Sequence, residues 1–320
     1  MIDINSLASD QKKATRDGFG EGLQIVGQRN PDVIGLCADL IGSLKMQAFI
    51  KDNPDRFIQV GIAEANMMGM SAGLALSGKV PYACTFANFA TGRVYDQIRQ
   101  SIAYSHKNVK ICASHAGLTL GEDGATHQIL EDLGLMKMLP GFTVINPCDA
   151  QQTKEAAIAI ADYEGPVYLR FGRPSWPVFT PEGSFKIGKA IQFNEGSDVS
   201  IFAIGHLMWY AIEASKALIK EGISVDLYNI HTIKPLDETA IIESVNKTGC
   251  VVSAEEHQKN GGLGDSIAQV ISQHCPAPQE YVAVQDSFGE SGKPDQLLAK
   301  YGLSVDNIIA SAKKAMKRKG

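Results

Sequence analysis

The sequence predicts an α/β protein: a larger domain built on a parallel sheet, then a smaller α/β domain. Three observations predict it. Short runs of β-branched and apolar residues alternate with longer helical stretches along the chain, the rhythm of βα units. That rhythm breaks between Arg173 and Gly196, where Pro174, Pro177 and Pro181 are followed by Gly183, Gly188 and Gly196, residues that punctuate a fold rather than continue an element. And 320 residues, 44% hydrophobic and 20% charged, suffice for about two domains of ordinary globular composition. Folding at this size hides roughly 75% of the unfolded chain's surface, so no disulfide or metal staple is required.

In order, the strand runs of the first domain are Val33 to Cys37, Phe57 to Val60, Tyr82 to Phe86, Val109 to Ala113, Thr143 to Ile145 and Val167 to Phe171. Met67 to Leu76 is the most apolar stretch. It is about half the length of a bilayer span and rich in Gly, Ala and Ser, so it reads as a buried helix. After the break come Val199 to Ile204, a helix through Ala211 to Lys220, Ser224 to Tyr228, Val251 to Ala254, a helix from Asp265 to Gln273, and Tyr281 to Val284. These runs place the first domain at residues 1–180, a linker at 181–196 and the second domain at 197–320. No solenoid repeat or low-complexity tract interrupts them.

Composition narrows the function classes. Met1 to Asp17 lacks the uninterrupted apolar run of a secretion signal, which points to a cytoplasmic protein with no membrane partner. The six cysteines are scattered without a CxxC pair, as expected of reduced, buried thiols. A net charge of -5 leaves no footprint for nucleic acid. The basic cluster Lys313, Lys314, Lys317, Arg318 and Lys319 suits a helix C-terminus.

Ligands of open parallel sheets bind beyond the carboxyl ends of the strands, so chemistry is sought in the residues that follow them. The first-domain runs lead into Asp39, Glu64, Phe86, His115 and Arg170, a set a purely structural protein has no need to gather along one sheet edge. In the second domain His206, Glu255, Glu256 and His257 are as readily explained by helix starts and interface contacts. Gly18-Phe-Gly20-Glu-Gly22 and Gly261-Gly262-Leu-Gly264 do not match GxGxxG, and GxxxxGK[ST], HExxH and GxSxG are absent, so dinucleotide, P-loop, zincin and serine-hydrolase readings fall away. Those glycines serve turns and close helix packing.

Arg56-Phe-Ile-Gln-Val-Gly-Ile-Ala-Glu64-Ala-Asn-Met-Met-Gly, then Thr85-Phe86-Ala-Asn-Phe89, then Gly121-Glu-Asp123-Gly-Ala-Thr-His127-Gln resemble the thiamine-diphosphate enzymes, and most closely transketolase. The resemblance covers nearly the whole chain. It implies a three-layer, parallel-sheet pyrimidine-binding domain followed by the smaller α/β transketolase C-terminal domain, together about the latter half of a full-length transketolase.

It also implies roles. Glu64 would set its carboxyl against N1′ of the cofactor's pyrimidine, the contact by which thiamine diphosphate is activated. Phe86 and Phe89 would wall the ring through burial and stacking. Asp39 would help organise the cofactor site across a subunit interface. Asp123 and His127 would reach sugar hydroxyls, with His127 next to the reacting centre. Arg16, Ser43, His115 and Arg170 would surround a substrate phosphate, where charge-assisted bonds are worth about 1.5–3 kcal/mol each. Two features depart from the family: Gly92 stands where many transketolases carry a further aromatic, and Ala63 and Ala65 flank the glutamate in place of Arg, Gln or His.

Transketolases hold the diphosphate and its metal with a Gly-Asp-Gly motif and a later Asn-Asn pair, and neither occurs in this chain. The resemblance therefore implies a split enzyme. An N-terminal-half subunit carrying both motifs would bind Mg²⁺ (or Ca²⁺) and the diphosphate, and two copies of each chain would form a heterotetramer. The expected reaction moves a two-carbon ketol unit from a ketose phosphate to an aldose phosphate, in the pentose phosphate pathway or a specialised sugar catabolism. The alternatives are the β subunit of a 2-oxoacid dehydrogenase, a deoxyxylulose phosphate synthase fragment and a non-catalytic assembly subunit. The sugar-directed Glu122–His127 stretch argues against the first, the residues after the glutamate against the second, and the retained Glu64 against the third.

Overall fold

The computed structural model describes residues 2, 4–8 and 10–319; Met1, Asp3, Ser9 and Gly320 lie outside the described residues. Strand β1 (Lys12–Ala14) leads into helix α1 (Thr15–Arg29), followed by β2 (Val33–Cys37), β3 (Phe57–Gln59), α2 (Glu64–Leu76), β4 (Val80–Phe86), β5 (Lys110–Ser114), β6 (Thr143–Ile145), α3 (Ala150–Ala159), β7 (Val167–Arg170) and β8 (Ser175–Pro177). Then come β9 (Ile191–Asn194), β10 (Val199–Ala203), α4 (Leu207–Lys220), β11 (Val225–Asn229), β12 (Thr232–Lys234), α5 (Glu238–Thr248), β13 (Val251–Gln258), α6 (Leu263–His274), β14 (Gln279–Val284) and α7 (Val305–Arg318).

Every residue of β2 and of β4 is buried, as a parallel strand covered on both faces must be. The first sheet has the order β12-β6-β7-β5-β4-β2-β3, and all its pairings are parallel except that of β12 with β6. Phe19, Leu23 and Val26 of α1 pack with Ala156 and Ala157 of α3 on one face; Met67, Met68 and Ala72 of α2 pack on the other. The result is a three-layer domain. Gly18 and Gly22 do serve close helix packing: a Cβ on Gly18 would stand 2.0 Å from the Ala150 carbonyl oxygen.

The second sheet runs β14-β13-β10-β11-β9, with only β9 antiparallel. Two features differ from the expected division of the chain. β9 falls within the anticipated linker of residues 181–196 and already belongs to the second sheet. β12, from the C-terminal part, closes the edge of the first sheet, and one apolar cluster runs from Met67 and Ile111 to Ile241, Leu263 and Ile267. The two parts share a core because an exposed β6 edge is best covered by another strand. Helix α2, read from the sequence as buried, buries Met67, Met68, Ser71 and Ala72 and leaves Ala65, Asn66, Gly69, Gly73 and Leu76 exposed. No helix among the described residues is long and apolar enough to cross a membrane.

Candidate active site

The carboxyl ends of β3, β4 and β5 deliver a continuous group of side chains to one rim. Glu64 is the first residue of α2 and is 4% exposed; its Oε2 lies 3.4 Å from Nη1 of Arg93, whose side chain is 50% exposed. The Arg93 guanidinium also sits over the Phe89 ring, 4.2 Å from its centroid. Phe86 ends β4, and the helical turn Ala87–Thr91 brings Phe89 around to it, with ring centroids 5.9 Å apart and planes inclined by 23°. Phe86 also stacks on His115 at 3.9 Å. His127 meets Phe89 edge-on at 5.4 Å.

The loop that carries Asp123 and His127 turns at Gly121 and Gly124, both left-handed with φ of 93° and 76°, a conformation glycine adopts without strain. The second domain holds this loop in place. Gln128 Nε2 donates to the Glu290 carbonyl at 3.0 Å, and a Cβ on Gly124 would lie 2.5 Å from Ser291 Oγ. Asn88 donates to the Thr126 carbonyl at 2.7 Å, and Thr126 Oγ1 lies 3.0 Å from His127 Nδ1. Asp123 is exposed and His127 half-buried.

A cationic flank adjoins the rings. Burial first, then the charges of Arg16 and Arg173, push the His115 imidazole down to about 3, so it is neutral and does not supply the positive charge expected of it beside a phosphate. It sits at φ 60° just past β5, with Nδ1 2.6 Å from Ser114 Oγ. Burial also lowers the pKa of Arg16. Arg16 Nη1 donates to the Ser43 carbonyl at 3.4 Å, while its Nε is buried without a partner. Here Ser43 contributes its backbone oxygen.

Arg170 does not join the flank. Its guanidinium, 4% exposed, bonds Asp132 Oδ2 through Nε at 2.8 Å and the Glu256 carbonyl through Nη2 at 2.9 Å. Tyr168 adds a hydroxyl bond to the same carboxylate oxygen at 2.7 Å. A guanidinium committed to a buried carboxylate is unavailable to a phosphate, so the expectation for Arg170 is corrected. The arginine that joins Arg16 on the flank is Arg173, half-exposed and bound to the Leu120 carbonyl at 2.7 Å and Glu122 Oε2 at 3.0 Å. Asp39 stays on the rim, exposed at the end of β2 with φ 57°, and its N–H donates to Gln59 Oε1 at 2.8 Å. Sequence reasoning missed Arg93 and Arg173. The available signal for Arg173 was its place just beyond β7, where a chain leaving the sheet reaches the rim.

The second-domain acids and histidines act structurally, as helix starts and interface contacts. Glu255 accepts from the N–H groups of Leu263 and Gly264 at 2.7 and 2.8 Å, filling the N-terminus of α6 with the protein's own carboxyl. Glu256 accepts from the Thr119 N–H at 2.6 Å across the domain seam, and His206 stacks on Trp176 at 4.6 Å. Among the described residues no group of three or more His, Cys, Asp or Glu side chains is placed to hold a metal ion.

Comparison with known proteins agrees with this architecture. The profile of the transketolase pyrimidine-binding domain matches residues 11–178, and that of the transketolase C-terminal domain residues 188–308. The chain is 40% identical over 305 residues to the 6-deoxy-6-sulfo-D-fructose transketolase subunit SqwH of Clostridium sp. (strain MSTE9), covering 95% of each protein. It is 34% identical over 307 residues to an apulose-4-phosphate transketolase subunit of Phocaeicola vulgatus, covering 95% of this chain and 98% of that one. A solved structure described as a split gene transketolase, inactive beta4 tetramer, superposes with a TM-score of 0.90 at 46% identity, over 96% of this chain and 99% of that one. With two matched domains in the family's order and relatives aligned over nearly their whole length, the chain belongs to the transketolase family and carries its pyrimidine-binding and C-terminal domains.

Proposed function

We propose that this chain is the pyrimidine-binding subunit of a two-chain, thiamine-diphosphate-dependent transketolase that passes a two-carbon ketol unit from a ketose phosphate to an aldose phosphate. The observation that carries the proposal is the buried Glu64 carboxyl at the start of α2, within one arginine's reach of the Phe86–Phe89 pair. The residues fit the aminopyrimidine half of the cofactor: an acid for a ring nitrogen and aromatic faces for the ring itself. The diphosphate and its Mg²⁺ or Ca²⁺ are assigned to a second polypeptide with Gly-Asp-Gly and Asn-Asn motifs, because this chain contains neither motif.

Thiamine diphosphate, when bound, would supply the reactive carbon centre. Glu64 would hold the proton at N1′, and Phe86 and Phe89 would orient the ring. His127 and Asp123 hydrogen-bond the sugar hydroxyls, and the neutral His115 does so as donor or acceptor. Arg16, Arg173 and the loop at Ser43 bind the phosphate, and Asp39 lies where a neighbouring subunit completes the site. Both relatives compared above are named as subunits and by different sugars, which supports the two-chain reading and leaves the sugar to be assigned by assay.

The test mixes the purified chain with its partner, thiamine diphosphate and Mg²⁺, and measures ketol transfer from xylulose 5-phosphate to an aldose phosphate. Glu64→Ala should lower turnover about 10²–10⁴-fold. An unchanged rate in the variant removes the assigned role, and oxidative decarboxylation of pyruvate with a dye acceptor in place of sugar transfer reassigns the chain to the 2-oxoacid dehydrogenases.

A further inference from the structure

The ring slot of this chain is filled by a side chain of its own. Arg93 touches both groups assigned to the cofactor's pyrimidine: its guanidinium lies on the Phe89 ring at 4.2 Å and its Nη1 reaches Glu64 Oε2 at 3.4 Å. A guanidinium is a flat, delocalised group with N–H donors on its edge, able to stack on an aromatic face and bond a carboxylate at once. An aminopyrimidine makes the same pair of contacts. Because the one Arg93 guanidinium makes both contacts, a ring that makes them must take its place. We infer that Arg93 is an internal occupant of the pyrimidine slot in the free chain and must swing out for the cofactor ring to enter, an inference that rests on the assignment of Glu64 and Phe89 to the cofactor.

The surroundings suit a removable occupant. The side chain stands half in solvent, on the short turn Gly92–Val94 that follows the helix carrying Phe89, so its long stem can rotate outward without disturbing the core. The two contacts are also individually weak. The cation–π contact and the 3.4 Å ion pair to the buried Glu64 are both made by a guanidinium that is itself half in solvent, so they hold the slot closed without locking it. In place, Arg93 keeps solvent from the Phe89 face and gives Glu64 a partner until the ring arrives. Once displaced, its charge lies at the mouth of the site.

The experiment titrates 4-amino-5-hydroxymethyl-2-methylpyrimidine, the ring half of the cofactor alone, into the full-length chain and follows heat of binding together with the ¹⁵N signals of the arginine side chains. Arg93→Ala should bind this probe about three- to thirty-fold tighter than wild type, because displacement no longer breaks the two contacts. Arg93→Lys, which keeps the charge and loses the planar fork, should fall between the two, and circular dichroism and melting confirm that both variants fold. In the wild type the Arg93 Nε signal should shift on saturation.

Glu64→Gln and Phe89→Ala separate the inference from the reading beneath it. If both weaken the probe while Arg93→Ala binds it no tighter than wild type, Arg93 is not an occupant and the cofactor assignment stands. If the probe binds and neither substitution affects it, the ring sits elsewhere and the cofactor assignment falls. Absence of measurable binding to both wild type and Arg93→Ala also overturns the inference, since removal of the occupant should open the slot.

Discussion

Arg170 and Arg173 lie three positions apart and do different work because of where β7 ends. Arg170 is the last residue of the strand and turns inward to Asp132, whereas Arg173 has passed the rim and faces Glu122 in solvent. Removing one partner of a buried pair strands the other charge, so Arg170→Ala should cost about 3–5 kcal/mol of stability. Arg173→Ala should barely change the melting curve but raise KM for the sugar phosphate about ten- to a hundredfold, the worth of about one charge-assisted bond. Chemical denaturation and steady-state kinetics on both variants check this; a KM effect confined to Arg170 would reverse the assignment. The residue types for phosphate recognition were legible in the sequence, but which arginine serves was not, because a buried strand end and an exposed rim differ by only three residues of chain.

At the scale of elements, the glycines of α1 and α2 look alike in sequence and differ in packing. A Cβ on Gly18 would meet the Ala150 backbone at 2.0 Å, whereas one on Gly69 or Gly73 meets nothing within 4 Å. Gly18→Ala should therefore destabilise the chain by about 1–3 kcal/mol through overpacking. Gly69→Ala and Gly73→Ala on the open face of α2 should each stabilise the isolated chain by about 0.5–1 kcal/mol, through lost backbone freedom in the unfolded state. Urea midpoints distinguish the two; a destabilised Gly69→Ala monomer would mean that this face is packed within the chain itself. The Gly- and Ala-rich composition of α2 announced close packing, while which side faces the sheet is set by Met67, Met68, Ser71 and Ala72.

Across the whole molecule, stability has two opposed dependences on pH. Burial holds His115 at about 3 and His231 and His257 at about 4. For each, the folded state binds fewer protons than the unfolded one as pH drops below about 6.5, so stability is lost on acidification. Burial raises Glu255 to about 7 against the pull of two helix N–H groups. There the folded state holds the extra proton, so its contribution is present below the ordinary carboxyl value and is lost as pH rises to about 7. Between about pH 6.5 and 4.5 three imidazoles oppose one carboxyl, and the net result is a fall in stability on acidification. Denaturant midpoints across that range should decline toward acid, and His257→Gln should flatten the slope; an unchanged slope would exclude His257 from the balance.

The sequence by itself determined the βα rhythm, the strands β2, β4, β5, β6, β7 and β10 to within a few residues, and the gathering of Glu64, Phe86 and His115 on one edge, because buried parallel strands are written as continuous apolar runs and the residues after them face the ligand side. The three spaced motifs likewise determined the family. Only the tertiary structure decided that β12 crosses to the first sheet and that β9 begins the second inside the apparent linker, since strands of three or four residues carry too little pattern to identify their partner. It alone also decided which arginine reaches the rim, why His115 is uncharged and which side chain contacts both Glu64 and Phe89. Burial, ionisation and ring contacts depend on atoms that arrive from distant parts of the chain, and no local spacing encodes them.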